Sequence, residues 1–229
     1  MNVLIVYVHP DDNSLNASLK DIAVDTLEAE GHRVVVSDLY AKQFKAVADK
    51  NDFTVLKNPH TFNYISEQYH AFMNNTFTED ILKEQESIIW ADMIIFQYPM
   101  WWTDVPAMLK GWFDRVLAYK FAYGPGRYDQ GNLTGKKAIL SITHGGEDLS
   151  DYGEFGIKGK IEERLFNINH EKLYYCGMDV LEPFVFPASA SEEVRMEHIK
   201  NWKLRLTNLA NEKPIPYRTV ESYKTDVSR

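Results

Sequence analysis

The sequence predicts a doubly wound α/β domain, a five-stranded parallel sheet with helices on both faces, on three observations. Short apolar, β-branched runs alternate five times with helical patterns, as parallel strands joined by right-handed crossover helices require. The runs are apolar throughout rather than alternating, as in residues 2–9 (NVLIVYVH), which marks strands covered on both faces. The length of 229 residues fits a single α/β domain.

Residues 2–9 are expected to form the central strand. After the polar turn at residues 10–13, apolar Leu15, Leu19, Ile22, Ala23 and Leu27 share a helical face, and Gly31 suits the left-handed position that closes a helix. Residues 33–38 form the second strand. Residues 39–78 are polar, aromatic and weakly periodic; they receive no assignment, and so long a stretch in a compact domain is often functional. A charged amphipathic helix follows over 79–90, then the third buried strand at 93–97. The helix over 106–118 starts with Pro106, a residue tolerated in a first turn. The fourth strand covers 137–143, a helix ended by Gly177 covers 161–176, the fifth strand covers 179–186, and a closing helix covers 192–211. The domain is placed at residues 1–212. Residues 213–229, with two prolines and many polar residues, are expected to be a C-terminal tail that wraps a partner or stays loose.

Composition narrows the function classes. A formal net charge of −8 argues against nucleic acid or an anionic membrane surface as partner, since both select for basic patches. Cys176 is the single cysteine, so neither an intrachain disulfide nor a multi-thiolate metal site is expected, and no metal site is assigned. No basic leader and no apolar run near ~18 residues is present, and a cytoplasmic location is expected.

Ligands of such sheets bind beyond the carboxyl ends of the strands, where the chain order reverses, and three loops there stand out. The first, residues 9–16 (HPDDNSLN), opens a helix whose free N–H groups and positive dipole end suit a phosphate. It contains no glycine, which excludes both the dinucleotide GxGxxG fingerprint and the Walker A loop. His9 can donate to a pyrophosphate, with Ser14 and Asn16 adding neutral donors; Ser14 can equally be a plain helix cap. The second loop, residues 97–104 (QYPMWWTD), puts Trp101 and Trp102 at the mouth of a buried strand. Exposed rings there call for a cover, either a flat aromatic ligand or a dimer interface. The third, residues 141–146 (SITHGG), offers Gly145 and Gly146, whose backbones can approach a ligand ring without a Cβ. Together the loops describe a flat, polar-edged, phosphate-bearing ligand, and a flavin fits.

Residues 99–116 (PMWWTDVPAMLKGWFDRV) closely resemble the signature of the NAD(P)H:quinone reductase (DT-diaphorase) family. Further matches are residues 37–40 (SDLY), 120–123 (KFAY), 136–143 (KKAILSIT), Cys176–Gly177 and 181–183 (LEP), in order over roughly residues 1–210. The resemblance implies a flavodoxin-like sheet of order 2-1-3-4-5. It also implies a homodimer with two FAD molecules at its interface, FAD rather than FMN, and one cavity used in turn by NAD(P)H and quinone. The positions matching the family's FAD contacts are His9, Ser14, Leu15 and Asn16 near the phosphates, with Asn63; Pro99, Met100, Trp101, Trp102 and Thr103, and Thr143, His144, Gly145 and Gly146, border the ring. Tyr152 matches a flavin-side tyrosine, and Arg195 is matched to the adenine end. Ala122, Tyr123 and Gly124 fall where the partner subunit closes the substrate cavity, which Trp102 also lines. The family histidine beside that tyrosine is Lys158 here, a family glutamine is Asn63, and an aromatic wall residue is Thr103. The expected reaction is ping-pong hydride transfer from NAD(P)H to a quinone, with the charge of the reduced cofactor met by the amides of Gly145 and Gly146, by Tyr152 and by Lys158. Lys158 can instead be a solvated surface lysine. The rival readings are an ancillary subunit of a potassium efflux system, with a membrane transporter as partner, and a nitro- or azo-reductase using the same site. A phosphoacceptor receiver is rejected, because the third strand ends Phe96-Gln97-Tyr98 rather than in an aspartate.

Overall fold

The structure, a computed structural model, describes residues 1–227 and, for its closing helix, the side chains only to residue 225. Strand β1 (Asn2–Tyr7) lies inside a wholly parallel sheet, flanked by β2 (Arg33–Asp38) and β3 (Met93–Pro99), with β4 (Lys137–His144) beyond β3. The order is β2-β1-β3-β4-β5, the doubly wound order that the resemblance implies. β3 is buried along its whole length, and β1 and β4 are buried at all but their first residue. Alternate residues of each strand feed cores on opposite faces. Val3, Ile5 and Ile95 pack under helices α1 (Leu15–Ala29) and α6 (Glu192–Asn208). Leu4, Val6, Ile94 and Phe96 pack against α3 (Glu79–Trp90), α4 (Ala107–Val116) and α5 (Ile161–Ile168). Gly31, at φ 79°, closes α1 in the left-handed conformation that only glycine adopts without penalty.

Four segments depart from the sequence-based expectation. The unassigned stretch contains a 3₁₀ turn at Lys50–Asp52 and helix α2 (Tyr64–Asn74), capped by the side-chain Oδ1 of Asn63 accepting from Ser66 N at 2.9 Å. α2 buries Glu67 and Gln68 while Ile65, Tyr69, Phe72 and Met73 stay exposed. The fifth strand is broken at residues 181–183 into β5 (Asp179–Val180) and β6 (Phe184–Pro187), both parallel to β4; Pro183 brings no N–H to the ladder. The helix expected over 161–176 changes at Asn169 from α to a π-helical turn (Asn169–Tyr174), with Tyr175 N bonded to His170 O at 2.9 Å. The described part of the tail runs against its own chain. Ile215 N bonds Val180 O at 2.8 Å, Tyr217 packs on His170 and Tyr174, and α7 (Val220–Val227) follows.

Two buried polar hubs fix the α4 face. Arg115, on α4 and 1% exposed, pairs with fully buried Asp52 at 3.0 Å and with Asp80 at 2.7 Å, while Tyr64 donates its hydroxyl to Asp52 at 2.7 Å. Glu84 accepts from Ser37, Lys42 and Trp112 Nε1. Unpaired, either acid would be a buried charge of the kind that proteins avoid. Both hubs stiffen the platform below the loop that leads out of β3.

Candidate functional site

The carboxyl ends of β1, β3 and β4 bring the three loops together. After β1, His9 Nδ1 accepts the Asp11 N–H at 3.1 Å, and its ring stands 6.4 Å from that of Trp101. Ser14 caps α1, its Oγ accepting from Ala17 N at 3.1 Å. The first turn of α1 carries no acidic residue, so its positive end is not neutralised from within the helix. Ser14 and Leu15 are half-buried at this mouth. Asn16 departs from the donor role expected of it. Its side chain is 3% exposed and already committed, donating to Thr143 Oγ1 at 2.6 Å and accepting from Gln97 Nε2 at 2.7 Å.

The loop after β3 is a tight, strained turn. Trp101 and Asp104 exchange backbone hydrogen bonds at 3.1 and 3.0 Å around Trp102 and Thr103. Those two residues have φ of 54° and 60°. Two successive left-handed residues form the mirror-image turn that favours Asn-Gly, and a non-glycine residue held there stores about 1–3 kcal/mol. The turn throws the Trp102 ring outward, where it is 98% exposed, and leaves Trp101 42% exposed. At the base of the turn Pro99 pairs in register with Thr143, and Met100 N bonds Thr143 O at 2.7 Å.

The loop after β4 is organised by His144, which sequence reasoning gave no side-chain role. Gly146 N–H donates to His144 Nδ1 at 3.1 Å. The ring proton therefore sits on Nε2, a buried atom without a hydrogen-bond partner. Burial, followed by the positive charge of Lys158, pushes the His144 pKa down, so the ring is neutral near pH 7. The glycine pair accordingly differs from expectation. The Gly146 amide is engaged by His144, and a Cβ on Gly146 would sit 2.8 Å from His144 Cε1. Gly145 does face open space: a Cβ there would meet nothing within 4 Å. Beyond them, the Tyr152 ring stands edge-on to His144 at 5.9 Å, and its hydroxyl reaches Met100 Sδ at 3.5 Å. Lys158 Nζ lies 4.9 Å from the centre of the Tyr152 ring and 2.9 Å from Asp151. The Asp151 carboxylate raises the Lys158 pKa, which keeps this exposed lysine cationic.

Among the described residues, Asn63, Ala122, Tyr123 and Gly124 make no hydrogen bond or ring contact with this cluster, whereas Arg195 follows Ser189, which bonds Gly145 O at 2.9 Å and Gly146 O at 3.1 Å. Asn63 is the α2 cap just described. Arg195 is exposed in the first turn of α6. Ala122 is buried, Gly124 N bonds Gly126 O at 3.2 Å, and Tyr123 stands beside Tyr119 and Tyr175, where it lines a cavity of about 400 Å³ with Tyr64, Gln68 and Phe113. Cys176 is buried with its thiol pushed up to about 12 by desolvation, as expected of an inert core cysteine.

The geometry fits a flat ligand with an anionic end. The strand ends gather a helix start with no acidic residue in its first turn, behind Asp11 and Asp12, together with the outward Trp102 ring and a buried neutral imidazole whose N–H has no partner among the described residues. Residues 1–208 match the model of a family described as having a flavodoxin-like fold. The ribosyldihydronicotinamide dehydrogenase [quinone] of Pongo abelii is 44% identical over 218 residues, covering 93% of this chain and 94% of that protein. The NAD(P)H dehydrogenase [quinone] 1 of Cavia porcellus is 40% identical, covering 93% and 78%. A solved structure of a candidate quinone reductase from Klebsiella pneumoniae superposes with a TM-score of 0.89 at 38% identity, covering 95% of this chain and 88% of that one.

Proposed function

The chain belongs to the flavodoxin-like fold family, among its quinone dehydrogenases, and from that membership we propose that it is a flavin-dependent NAD(P)H:quinone oxidoreductase. The observation that carries the proposal is the convergence of His9, Met100, Trp101, Thr143 and Tyr152 at the point where strand order reverses. FAD, rather than FMN, is the proposed cofactor, and when bound it supplies two-electron carriage between donor and quinone in two half-reactions that share one cavity.

The chain's own groups then have separate tasks. The start of α1, with His9, Ser14 and Leu15, holds the phosphates. The turn at Pro99–Thr103 and the loop at Thr143–Gly146 border the ring, and the Trp102 face excludes water from it. Tyr152 and the lysine stacked on it, Lys158, meet the negative charge that builds when the cofactor is reduced. The donor is NADH or NADPH, or the smaller ribosyldihydronicotinamide in the name of the 44%-identical relative.

A homodimer with the flavin at its interface accounts for two further features. Asn63, Ala122, Tyr123 and Gly124 lie away from the strand ends of their own chain, and a second copy can bring some of them to its neighbour's site. The apolar face of α2, with Ile65, Tyr69, Phe72 and Met73 exposed, suits such contact. A cytoplasmic location is proposed with it; among the described residues no helix is long and apolar enough to cross a membrane.

Initial rates with NADH, NADPH and ribosyldihydronicotinamide, each against a simple benzoquinone, test the proposal. Parallel double-reciprocal lines with at least one donor are expected; no quinone-dependent oxidation of any donor by flavin-loaded protein would contradict it. Nitroaromatic and azo acceptors in the same assay compare the other reductase readings. Co-purification with a membrane transporter, alongside absent quinone turnover, would favour the ancillary-subunit reading.

A further inference from the structure

Three side chains from three elements form a buried chain of hydrogen bonds under the site. Gln97, from β3 and 1% exposed, donates Nε2–H to Asn16 Oδ1 at 2.7 Å. Asn16, from α1, donates Nδ2–H to Thr143 Oγ1 at 2.6 Å. Every donor points the same way, from the middle of the sheet toward the strand ends. Thr143 Oγ1 uses a lone pair to accept, so its own O–H is left to donate onward, and the residue is 5% exposed at the end of β4. The same residue's carbonyl holds Met100 N at 2.7 Å. Among the described residues Gln97 has no other side-chain anchor, because its Oε1 is buried without a partner, as is Ser141 Oγ on the register-matched residue of β4. An amide whose one satisfied bond belongs to this chain is unusual among buried polar groups.

We propose that Gln97 is a positioning residue that acts through Asn16 to aim the Thr143 hydroxyl, as a donor, at the bound cofactor, and so favours the cofactor's reduced, more negative form. Hydrogen bonds aligned in one direction polarise one another, and a preorganised donor in a dry site is most effective where negative charge develops. The inference rests on the flavin reading above.

The test is the two-electron reduction potential of the flavin-bound protein, measured by dye equilibration, for the parent and for Thr143→Val, Thr143→Ser and Gln97→Met. Thr143→Val removes the donor. It is expected to lower the ratio of reduced-form to oxidised-form affinity about tenfold, a shift of about 30 mV to more negative potential. Gln97→Met keeps the volume and breaks the chain at its start, with a loss of about threefold expected. Thr143→Ser restores the hydroxyl and the parent potential. Potentials of the Val and Met variants within experimental error of the parent would overturn the inference, whatever happens to melting temperature or turnover, since a merely structural role moves stability and leaves the potential alone. If Gln97→Met fails to fold, the Val and Ser pair decides. A parent protein that takes up no flavin fails the functional reading instead, so the two failures are told apart.

Discussion

His144 and Lys158 show how far single residues set the character of the site. A histidine buried beside Lys158, with its pKa depressed, links stability to pH. The unfolded chain takes up this proton near pH 6.5, whereas the folded chain takes it up only at lower pH. Between those values the unfolded state binds more protons, so stability falls as pH drops below about 6.5. Melting temperatures from pH 7.5 to 5 should decline less steeply in His144→Asn, whose carbonyl can still accept from Gly146, than in the parent; equal slopes would remove His144 from the linkage. Lys158 stays cationic through neutral pH, and its role is electrostatic. Lys158→Ala is expected to slow the donor half-reaction by on the order of tenfold, less than the loss from a fully enclosed donor, because the lysine is exposed. An unchanged stopped-flow rate would return Lys158 to the solvated surface. Neither His144's bond to Gly146 nor Asn16's commitment to Gln97 was legible beforehand, because spacing gives the order of residues along a loop but not which side chains close on one another.

At the scale of elements, α4 and the turn before it bear the tightest constraints. A Cβ on Gly111 would lie 1.9 Å from the Ala46 carbonyl oxygen. Gly111→Ala is therefore expected to destabilise the protein by about 3 kcal/mol in urea unfolding, at the upper end for overpacking. In the turn, Thr103→Gly relieves a left-handed β-branched residue and is expected to add about 1 kcal/mol of stability; a loss would show that Thr103 is not strained. The elements that were legible are those whose local pattern agrees with the fold, such as β2 and α3, whose bounds match the sequence-based ranges residue for residue. α2 was not legible because its pattern is partly inverted in the single chain: its polar Glu67 takes Lys57 N–H at 2.6 Å and Gln68 bonds Tyr119 N and Asp114 O, while Ile65, Tyr69, Phe72 and Met73 face outward and only Ala71 and Tyr64 reach the core. The break in the fifth strand and the π turn at Asn169 depend on tertiary fit, which local periodicity does not encode.

For the whole molecule, the doubly wound parallel class follows from apolar runs alternating with helical patterns, and the strand order with its switch point from the family resemblance, so the place of the site could be named before its geometry. What the single chain leaves divided is the substrate side. Tyr123, Gly124, Asn63 and the outward face of α2 stand away from the strand ends, and dimer formation would give them a common purpose. Sedimentation equilibrium is expected to give twice the chain mass of 26.5 kDa, and Ile65→Lys together with Met73→Lys is expected to weaken self-association at least tenfold; a monomeric parent at micromolar concentration would contradict the interface.

The central claim is tested most directly by an anaerobic absorbance titration of the purified protein, with the released cofactor identified by mass. The account predicts released FAD, a flavin spectrum bleached by one equivalent of a dihydronicotinamide donor, and its full return on adding one equivalent of benzoquinone. A protein that neither retains nor rebinds flavin, or whose flavin no dihydronicotinamide donor reduces, would contradict it.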